Sequence, residues 1–287
     1  MLKRILITSG MLACMLSARA EIINLRAAMA SSKVSLKATA NGRSYDDMAL
    51  TLAMENKTEQ TINLRIDTGL IFRPDDTAYQ DIMLAGGAVM AIPPHKTFTL
   101  PTQSYCVKSY ARGPVAGLNF SFIGQGDARM LKLLAFIARE RIAPSLAQDA
   151  VWVLSNGHTL SGIYDGNEPK TAEKLVRFMA ALTGQAVPVI YEEHRKVTEP
   201  GEVVYVPKAL KMYAKFEWKT DMPKVMTLGI YDGQGKMIDS VFINKEIEKG
   251  GHRATVEFES ADVPTGKYYI RLMEGNAIFK QEEVMVK

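Results

Sequence analysis

The sequence predicts an α+β N-terminal module, in which a β-sandwich is followed by helices, and an all-β Ig-like C-terminal sandwich. Three observations lead to this class. Short alternating apolar segments fill residues 34–110, helical periodicity follows up to residue 184, and the strand pattern returns at 211–287. Strands that precede helices, instead of alternating with them, are typical of an α+β unit. We therefore assign residues 21–184 to the N-terminal module.

Residues 1–20 have the pattern of an export signal. A short basic start precedes an apolar stretch that ends at Leu16 and is too short to cross a bilayer as a helix. Ala18-Arg19-Ala20 then fits a cleavage site, so we expect an exported protein of the cell surface, the extracellular space or the periplasm. A rival cut at Cys14 would lipidate that cysteine, because the residues before it are similar to a lipoprotein box.

Composition restricts the class of partner. Loss of residues 1–20 removes three basic residues and no acidic ones, which lowers the formal net charge from +4 to +1. A charge this small gives no reason to expect nucleic acid as a partner. No later stretch reaches about 18 consecutive apolar residues, so we expect no transmembrane span.

Two segments of the first module, 50–54 and 62–66, alternate between large apolar residues and smaller or polar ones. Such alternation is typical of half-buried strands, and the turn residues 55–58 favour an antiparallel pair. Several short strands at this spacing favour a β-sandwich. Further strands are predicted at Gly69–Phe72, Ile82–Leu84, Ala88–Ile92 and Thr97–Leu100.

Three helices are predicted in the second part of the module from their start and stop signals. A polar residue before a helix can cap its free backbone N–H groups, and a glycine after the end favours termination. The predicted helices are Ala128–Ile142 capped by Asp127, Leu146–Leu154 capped by Ser145, and a third that opens at Pro169 after Asn167 and closes at Gly184.

Residues 185–210 are interpreted as a linker, because three prolines and a glycine stand among mixed charges, with one short strand at Glu202–Val206. Within it, Glu192-Glu193-His194 is interpreted as a solvated charge run. About seven short strands then follow in residues 211–287, which predicts an Ig-like sandwich. They are Phe216–Trp218, Met226–Tyr231, Met237–Ile243, Arg253–Phe258, Lys267–Met273, Ala277–Phe279 and Val284–Val286.

The C-terminal segment carries four short motifs that occur together in a known family: Tyr231-Asp232, the Gly235-Lys236 turn, a Pro264-Thr-Gly-Lys-Tyr268 strand start, and the terminal Lys287. With them, residues 211–287 resemble the C-terminal sorting domain of type IX secretion cargo and the related Ig-like domain of flagellar hook-capping proteins. The resemblance implies export by secretion machinery, followed by removal of the domain or its use as an anchor. The family's Tyr-Pro-Asn-Pro lead-in is absent, so a plain Ig-like module is the alternative.

Without residues 1–20 the chain keeps a single cysteine, Cys106, which cannot form an internal disulfide. Its thiol is therefore buried and inert, paired with another molecule, or kept for chemistry. The local sequence bears on this choice, because a glutamine, Gln148, stands 42 positions later at the start of a Gln-Asp-Ala-Val-Trp segment.

Tyr105-Cys106, a nearby turn at Gly113-Pro114, and the segment from Gln148 to Trp152 together resemble the thioester domains of bacterial surface adhesins. In that family the cysteine sulfur and the glutamine side chain condense with loss of ammonia, which makes Cys106 and Gln148 the thioester candidates here. The resemblance implies a covalent bond to a nucleophile on a surface, with Trp152 and Tyr105 shielding the thioester from water. An alanine replaces the threonine that usually precedes the glutamine, and the spacing is shorter than usual.

Two other interpretations compete with the thioester. The first is an inert thiol, because cysteine is among the residues most often buried. The second is a hydrolase, in which Cys106, His158 and Asp165 follow the order nucleophile, base and orienting acid. No metal site and no cofactor are predicted, since the histidines are scattered and no phosphate-binding or dinucleotide motif is present.

The function that we expect is binding or adhesion at the cell surface or in the periplasm, without catalysis and with a surface protein or a glycan as ligand. Covalent attachment through Cys106 and Gln148 is one form of this function. The alternatives are a structural or cargo protein of a type IX-like secretion route, and the Cys-His hydrolase.

Overall fold

The computed structural model describes residues 21–43, 48–197 and 199–287. The expected export signal, residues 1–20 with Cys14, lies outside these residues. Strands account for 48% of the described residues and helices for 19%, so the predicted mixed α+β class with sandwich-like sheets is confirmed.

The N-terminal module begins with two β-sheets. Its described strands are β1 (Ile22–Asn24), β2 (Val34–Ala40), β3 (Leu50–Asn56), β4 (Ile62–Ile66), β5 (Leu70–Pro74), β6 (Ile82–Leu84), β7 (Ala88–Ile92), β8 (Thr97–Thr102), β9 (Ser104–Cys106) and β10 (Asn119–Gln125). The seven-stranded sheet has the order β8-β3-β2-β10-β5-β6-β9, and the three-stranded sheet has the order β1-β4-β7. Apolar side chains from both sheets, including the fully buried Leu52, Phe72 and Leu64, meet in one core.

The two segments that were expected to form one antiparallel pair lie in different sheets, so that prediction is wrong. Strand β3 pairs with β2 and β8, whereas β4 pairs with β1 and β7. The chain crosses from one sheet to the other between β3 and β4, and the buried Asn56 stabilises this connection. Its side-chain N–H₂ donates to the carbonyls of Gln60 (2.7 Å) and Ile92 (2.9 Å). Alternation reports that a strand has one buried face and does not report which strand it pairs with.

The module has one short helix between β1 and β2 and three longer helices in its second part. They are α1 (Leu25–Ala30), α2 (Ala128–Glu140), α3 (Pro144–Asn156) and α4 (Pro169–Thr183), with a 3₁₀ turn at Leu160–Gly162. The last three bury their apolar faces in a second core, which also contains Met83 of β6 and Tyr105 of β9. Asp127 caps α2 as predicted, since its carboxylate accepts from the Met130 N–H at 2.8 Å. Among the described residues, no helix combines the length and the hydropathy needed to cross a membrane.

The prediction that Ser145 caps α3 is wrong. The helix begins at Pro144, two residues before its predicted start at Leu146, and its cap residue Ala143 makes no side-chain hydrogen bond. Proline fits the first helical position because an N–H there would have no helical partner. The same holds for α4, where Pro169 occupies the first turn and no cap bond comes from Asn167.

The C-terminal part consists of two further sheets with a core between them. Its described strands are β11 (Ile190–Lys196), β12 (Tyr205–Thr220), β13 (Lys224–Asp232), β14 (Met237–Ile247), β15 (Gly250–Glu259), β16 (Gly266–Glu274) and β17 (Ala277–Val286). The orders are β11-β12-β15 and β14-β13-β16-β17. Buried Phe216 comes from the first sheet, and Leu228 and Leu272 come from the second. The two short strands predicted after residue 276 are one continuous strand, β17.

The stretch that was expected to be a linker, residues 185–210, contains β11 and the start of β12. These strands are antiparallel, with Ile190 opposite Ala214 and Lys196 opposite Tyr205. Pro207 lies at a register shift between these pairs, where no regular ladder bond is required, so it does not end the strand. Because the second half of β12 pairs with β15, one unbroken strand joins the stretch expected to be a linker to the segment 211–287.

Candidate functional site

Strand β9 separates the two cores of the N-terminal module. Successive side chains of a strand point to opposite faces, so Tyr105 packs in the helical core and Cys106 packs in the sandwich core. Strand β9 is the last strand of its sheet and is bordered by β6 on one side only. The backbone N–H and C=O groups on its outer edge therefore need other partners.

Gln148 of α3 supplies those partners. Its side-chain oxygen accepts from the Cys106 backbone N–H at 2.9 Å, and its side-chain N–H₂ donates to the Cys106 carbonyl at 2.8 Å. Both residues are fully buried. The carboxamide thus pairs with the strand edge as a neighbouring strand would, and the two residues singled out in the sequence are in contact. We refer to this pairing as the Cys106–Gln148 contact.

The surroundings of the Cys106 sulfur favour a packing role. Burial raises the pKa of the Cys106 thiol far above its ordinary value, so the nucleophilic thiolate is disfavoured. Condensation with Gln148 would also require the carboxamide to release its two hydrogen bonds. Each buried backbone group left without a partner costs about 1–3 kcal/mol. The thioester therefore stays a prediction, with two energetic terms acting against it.

Of the two residues that were expected to shield a thioester, Trp152 lies on the same side of β9 as the Cys106 thiol and Tyr105 lies on the other side. Trp152 is fully buried, lies one helical turn after Gln148, and packs in the same core as Cys106. Its ring also contacts that of Tyr205, with 5.5 Å between the centroids. Tyr105 packs on the opposite face of β9, so its ring does not face the thiol.

His158 and Asp165 are not assembled with Cys106 as a hydrolase would require. The Nε2 atom of His158 lies 2.9 Å from the Ser109 hydroxyl oxygen. Burial lowers the pKa of His158, and the neighbouring His194 lowers it further, so the neutral ring that accepts a hydroxyl proton is favoured. Asp165 lines a separate groove. Within the described ranges, no hydrogen bond joins His158 to Cys106 or to Asp165.

The residue after Gln148 contacts the C-terminal sheet. The Asp149 carboxylate accepts from the Lys196 ammonium group at 2.7 Å, and their side chains are only 8% and 14% exposed. Lys196 also donates to the Ser145 carbonyl at 2.9 Å. Burial raises the pKa of Asp149 to about 6, although Lys196 acts in the opposite direction. The ion pair therefore joins α3 to β11 and includes an acid that titrates near neutral pH.

The charge run Glu192-Glu193-His194 is only partly exposed and its side chains have partners within the protein, so the prediction of a solvated run is wrong. The His194 side chain is 7% exposed, with Nε2 at 3.2 Å from Glu192 and Nδ1 at 3.3 Å from the Tyr205 hydroxyl. The Tyr213 hydroxyl donates to Glu193 at 2.7 Å. Pairing of β12 along β11 encloses these side chains, which a free linker would have left in water.

A groove with a tyrosine-rich lining lies between the helices and the C-terminal sheet, and we call it the tyrosine groove. It consists of two adjoining depressions, of 530 Å³ and 400 Å³, that share Tyr164 and Tyr213 as lining residues. These two rings are stacked, with 4.3 Å between their centroids and 28° between their planes. The larger, polar half also contains Asp149, Asp165, Asn167, Glu193, Lys196 and Lys211, and the smaller half contains Pro169, Lys170, Glu173, Tyr191 and Lys215.

This groove was not predicted, because its residues come from six separate segments. They lie on α3, in the stretch between α3 and α4, on the first turn of α4, and on strands β11, β12 and β15. The sequence does contain one signal of the groove. Tyr191 and Glu193 are two residues apart, as are Lys211 and Tyr213, and this spacing places each pair on one face of a strand. That signal carries information only after residues 190–196 are recognised as a strand.

No protein-family model matches the chain, and no match is found among curated proteins or among solved structures. The resemblances of residues 211–287 and 100–157 therefore rest on their motifs alone. In the described part of the chain, no group of three or more His, Cys, Asp or Glu side chains is arranged to hold a metal ion. The features of this chain that bear on function are the geometry of the Cys106–Gln148 contact and that of the tyrosine groove.

Proposed function

We propose that this chain is an exported binding protein of the cell surface or periplasm whose ligand occupies the tyrosine groove. The observation that carries the proposal is the stacked pair Tyr164 and Tyr213 beside fixed carboxylate, amide and ammonium groups in a concave site. Aromatic surface combined with a few placed polar groups is the usual composition of a ligand site. A structural or cargo protein needs no such site, so binding is preferred to that alternative.

Contacts on both walls hold the groove in shape. The Asp149–Lys196 pair joins α3 to β11, and Lys215 of β12 donates to Glu173 of α4 at 2.9 Å. The hydroxyl of Tyr213 is held in place by Glu193. A site whose side chains are already ordered loses little conformational entropy when a ligand binds. This supports recognition of a ligand by the groove.

Surface binding of the chain from residue 21 to residue 287 tests the proposal. Fluorescently labelled protein is titrated onto Gram-negative envelope fragments and onto cultured epithelial cells. We expect saturable binding that is weakened roughly tenfold by Tyr164→Ala, because a stacked ring is lost. Tyr110→Ala is the matched control, since Tyr110 is 72% exposed and does not line the groove. Absence of binding, or equal binding by both variants, contradicts the proposal.

We also propose that residues 211–287 are an Ig-like sandwich that contacts secretion machinery and serves sorting, anchoring or presentation. The two sheets and the motifs at Tyr231-Asp232 and Gly235-Lys236 support this role. Strand β12 starts at Tyr205, before this segment, and is the strand that pairs with β11. Removal of the segment would break that pairing, which favours a sandwich that stays attached after export.

The mass of the exported protein tests retention and export together. We expect a chain that begins at residue 21 and ends at residue 287. A product that ends near residue 210 contradicts retention, and a lipidated chain that begins at Cys14 contradicts the assigned cleavage site. Protein found only inside the cell contradicts export.

A covalent form of binding through a Cys106–Gln148 thioester is the second candidate, favoured by the direct contact of the two residues. In that step the Cys106 sulfur attacks the side-chain carbonyl carbon of Gln148 and a C–S bond forms. The C–N bond breaks, and the nitrogen leaves as ammonia with the proton of the thiol.

Intact mass tests the thioester directly. A thioester makes the protein lighter by one ammonia, and methylamine adds to the opened acyl group. Gln148→Ala is the control and should show neither change. A mass equal to that of the unmodified sequence, with Cys106 alkylated only after unfolding, contradicts the thioester and leaves binding in the tyrosine groove unaffected.

A further inference from the structure

The lining of the tyrosine groove selects a chemical class of ligand. We propose that the groove binds a neutral oligosaccharide, an inference that rests on the binding role proposed above. The first support is charge balance, since the two halves together present four carboxylates and four ammonium groups. A polyanion and a polycation would therefore each meet as much repulsion as attraction.

Three of the four ammonium groups already have carboxylate partners. Lys196 pairs with Asp149 at 2.7 Å and Lys215 pairs with Glu173 at 2.9 Å, both within the groove. Lys211 pairs with Glu257 at 2.9 Å and with Glu259 at 2.7 Å, two carboxylates of β15 beside the groove. An ionic ligand would have to compete with these partners. A hydroxyl group does not, because a carboxylate accepts several hydrogen bonds and can keep its ammonium partner while it accepts from a sugar hydroxyl.

Three tyrosines supply the apolar part of the site. The ring of Tyr164 is stacked on that of Tyr213 and lies 5.6 Å from the centroid of Tyr191. A sugar ring has flat faces of C–H groups and a rim of hydroxyls, so it pairs C–H faces with aromatic surface and rim hydroxyls with polar side chains. In the larger half of the groove, Asn167 and Glu193 supply polar groups beside the stacked rings.

The dimensions of the groove favour a chain of sugars over a single sugar. Each half, at 530 Å³ and 400 Å³, has the size of a small-molecule site. The halves adjoin at Tyr164 and Tyr213, so a ligand that fills both must extend past the tyrosine pair. An oligosaccharide has this extended form, with one ring on either side of the pair.

Calorimetric titration of the chain from residue 21 to residue 287 tests the inference. The neutral probes are chitotetraose, cellotetraose, maltotetraose and mannotetraose, and the charged probes are a heparin tetrasaccharide and tetralysine. We expect at least one neutral probe to bind with an affinity that does not change with salt concentration. Tyr164→Ala should weaken that binding roughly tenfold, and Tyr110→Ala should leave it unchanged.

The outcomes separate this inference from the proposed function. Binding of only the heparin tetrasaccharide or only tetralysine, or of no probe, overturns the neutral oligosaccharide. If the labelled protein binds surfaces and the neutral probes do not compete, the inference fails and the binding role stands. If the protein binds no surface, the proposed function itself fails. Equal melting temperatures of the two alanine variants show that weaker binding is not caused by unfolding.

Discussion

Gln148 and Asp149 are consecutive residues of α3, and they bury a polar side chain in two different ways. Gln148 is neutral and pairs with the main chain of Cys106 inside the N-terminal module. Asp149 is a carboxylic acid that pairs with Lys196 and lines the tyrosine groove. The first pairing does not respond to pH and is closed to solvent, whereas the second titrates near neutral pH and borders a site.

The difference separates a residue of α3 that is buried inside the module from a residue that lines the tyrosine groove. Two neutral hydrogen bonds can be buried at little cost, while a charge is costly to bury even when it is paired. We infer that the ion pair is placed where polar groups serve a ligand as well as the fold.

Gln148→Ala tests how much the Cys106–Gln148 contact contributes to the stability of the fold, and its expected effect is large. The variant leaves the N–H and C=O groups of Cys106 without partners in the interior, at about 1–3 kcal/mol each. We expect the free energy of unfolding, measured by urea denaturation, to fall by about 3–5 kcal/mol. Gln185→Ala, at an exposed position, is the control and should change it by less than about 0.5 kcal/mol. A loss below about 1 kcal/mol for Gln148→Ala would show that the contact does not support the fold.

Substitution of Cys106 tests whether the thiol behaves as an apolar group. Cys106→Ser should lower the free energy of unfolding by about 2–3 kcal/mol, because it buries a hydroxyl among apolar side chains. Cys106→Ala should lower it by about 1 kcal/mol, because it only removes volume. A serine variant as stable as the alanine variant would contradict an apolar environment around the sulfur.

Asp149→Asn tests the contribution of the Asp149 carboxyl group, whose pKa is raised, to stability. The pKa of Asp149 in the folded protein, about 6, lies above its ordinary value of 3.8, so the native state holds this proton more tightly than the unfolded state. The parent should therefore gain stability relative to the variant as pH falls from about 7 to about 4, on the order of 2 kcal/mol. Urea denaturation of both proteins across this range measures the difference. A difference that stays constant with pH would contradict the raised pKa.

Tyr213→Phe should have the smallest effect. It removes the hydrogen bond to Glu193 and keeps the ring that stacks on Tyr164. Because Glu193 is partly accessible and can be hydrated instead, we expect a loss of about 1 kcal/mol or less in the free energy of unfolding. Tyr110→Phe is the control. A loss as large as that of Gln148→Ala would show that the groove carries as much of the fold's stability as the buried contact does.

Local signals predicted the elements of the fold and did not predict their partners. Strands such as Ile82–Leu84 and Ala88–Ile92 were placed correctly, because flanking glycines and prolines bound their apolar runs. The predicted partner of 62–66 was wrong, since this strand pairs with β1 and β7, which are not adjacent to it in sequence. Strand β11 was missed because its charged side chains find partners only after β12 folds against it.

The candidate site was predicted in the same partial way. The contact between Cys106 and Gln148 was anticipated from a motif, although the atoms that meet are the backbone of one and the side chain of the other. The tyrosine groove was not anticipated, because two helices, the stretch between them and three strands each contribute part of it. The neighbour of Gln148 in sequence, Asp149, joins the two sites and shows no special pattern of its own.

The continuity of β12 sets how far the tyrosine groove stands from the far end of the C-terminal sandwich. Tyr213 lies about seven residues before the end of the strand at Thr220, which corresponds to roughly 23 Å at the usual rise of a strand. A flexible tether would let the groove sample many heights and tilts. A continuous paired strand fixes one height and one tilt, so copies held by their sandwiches on a common support would present their grooves in parallel.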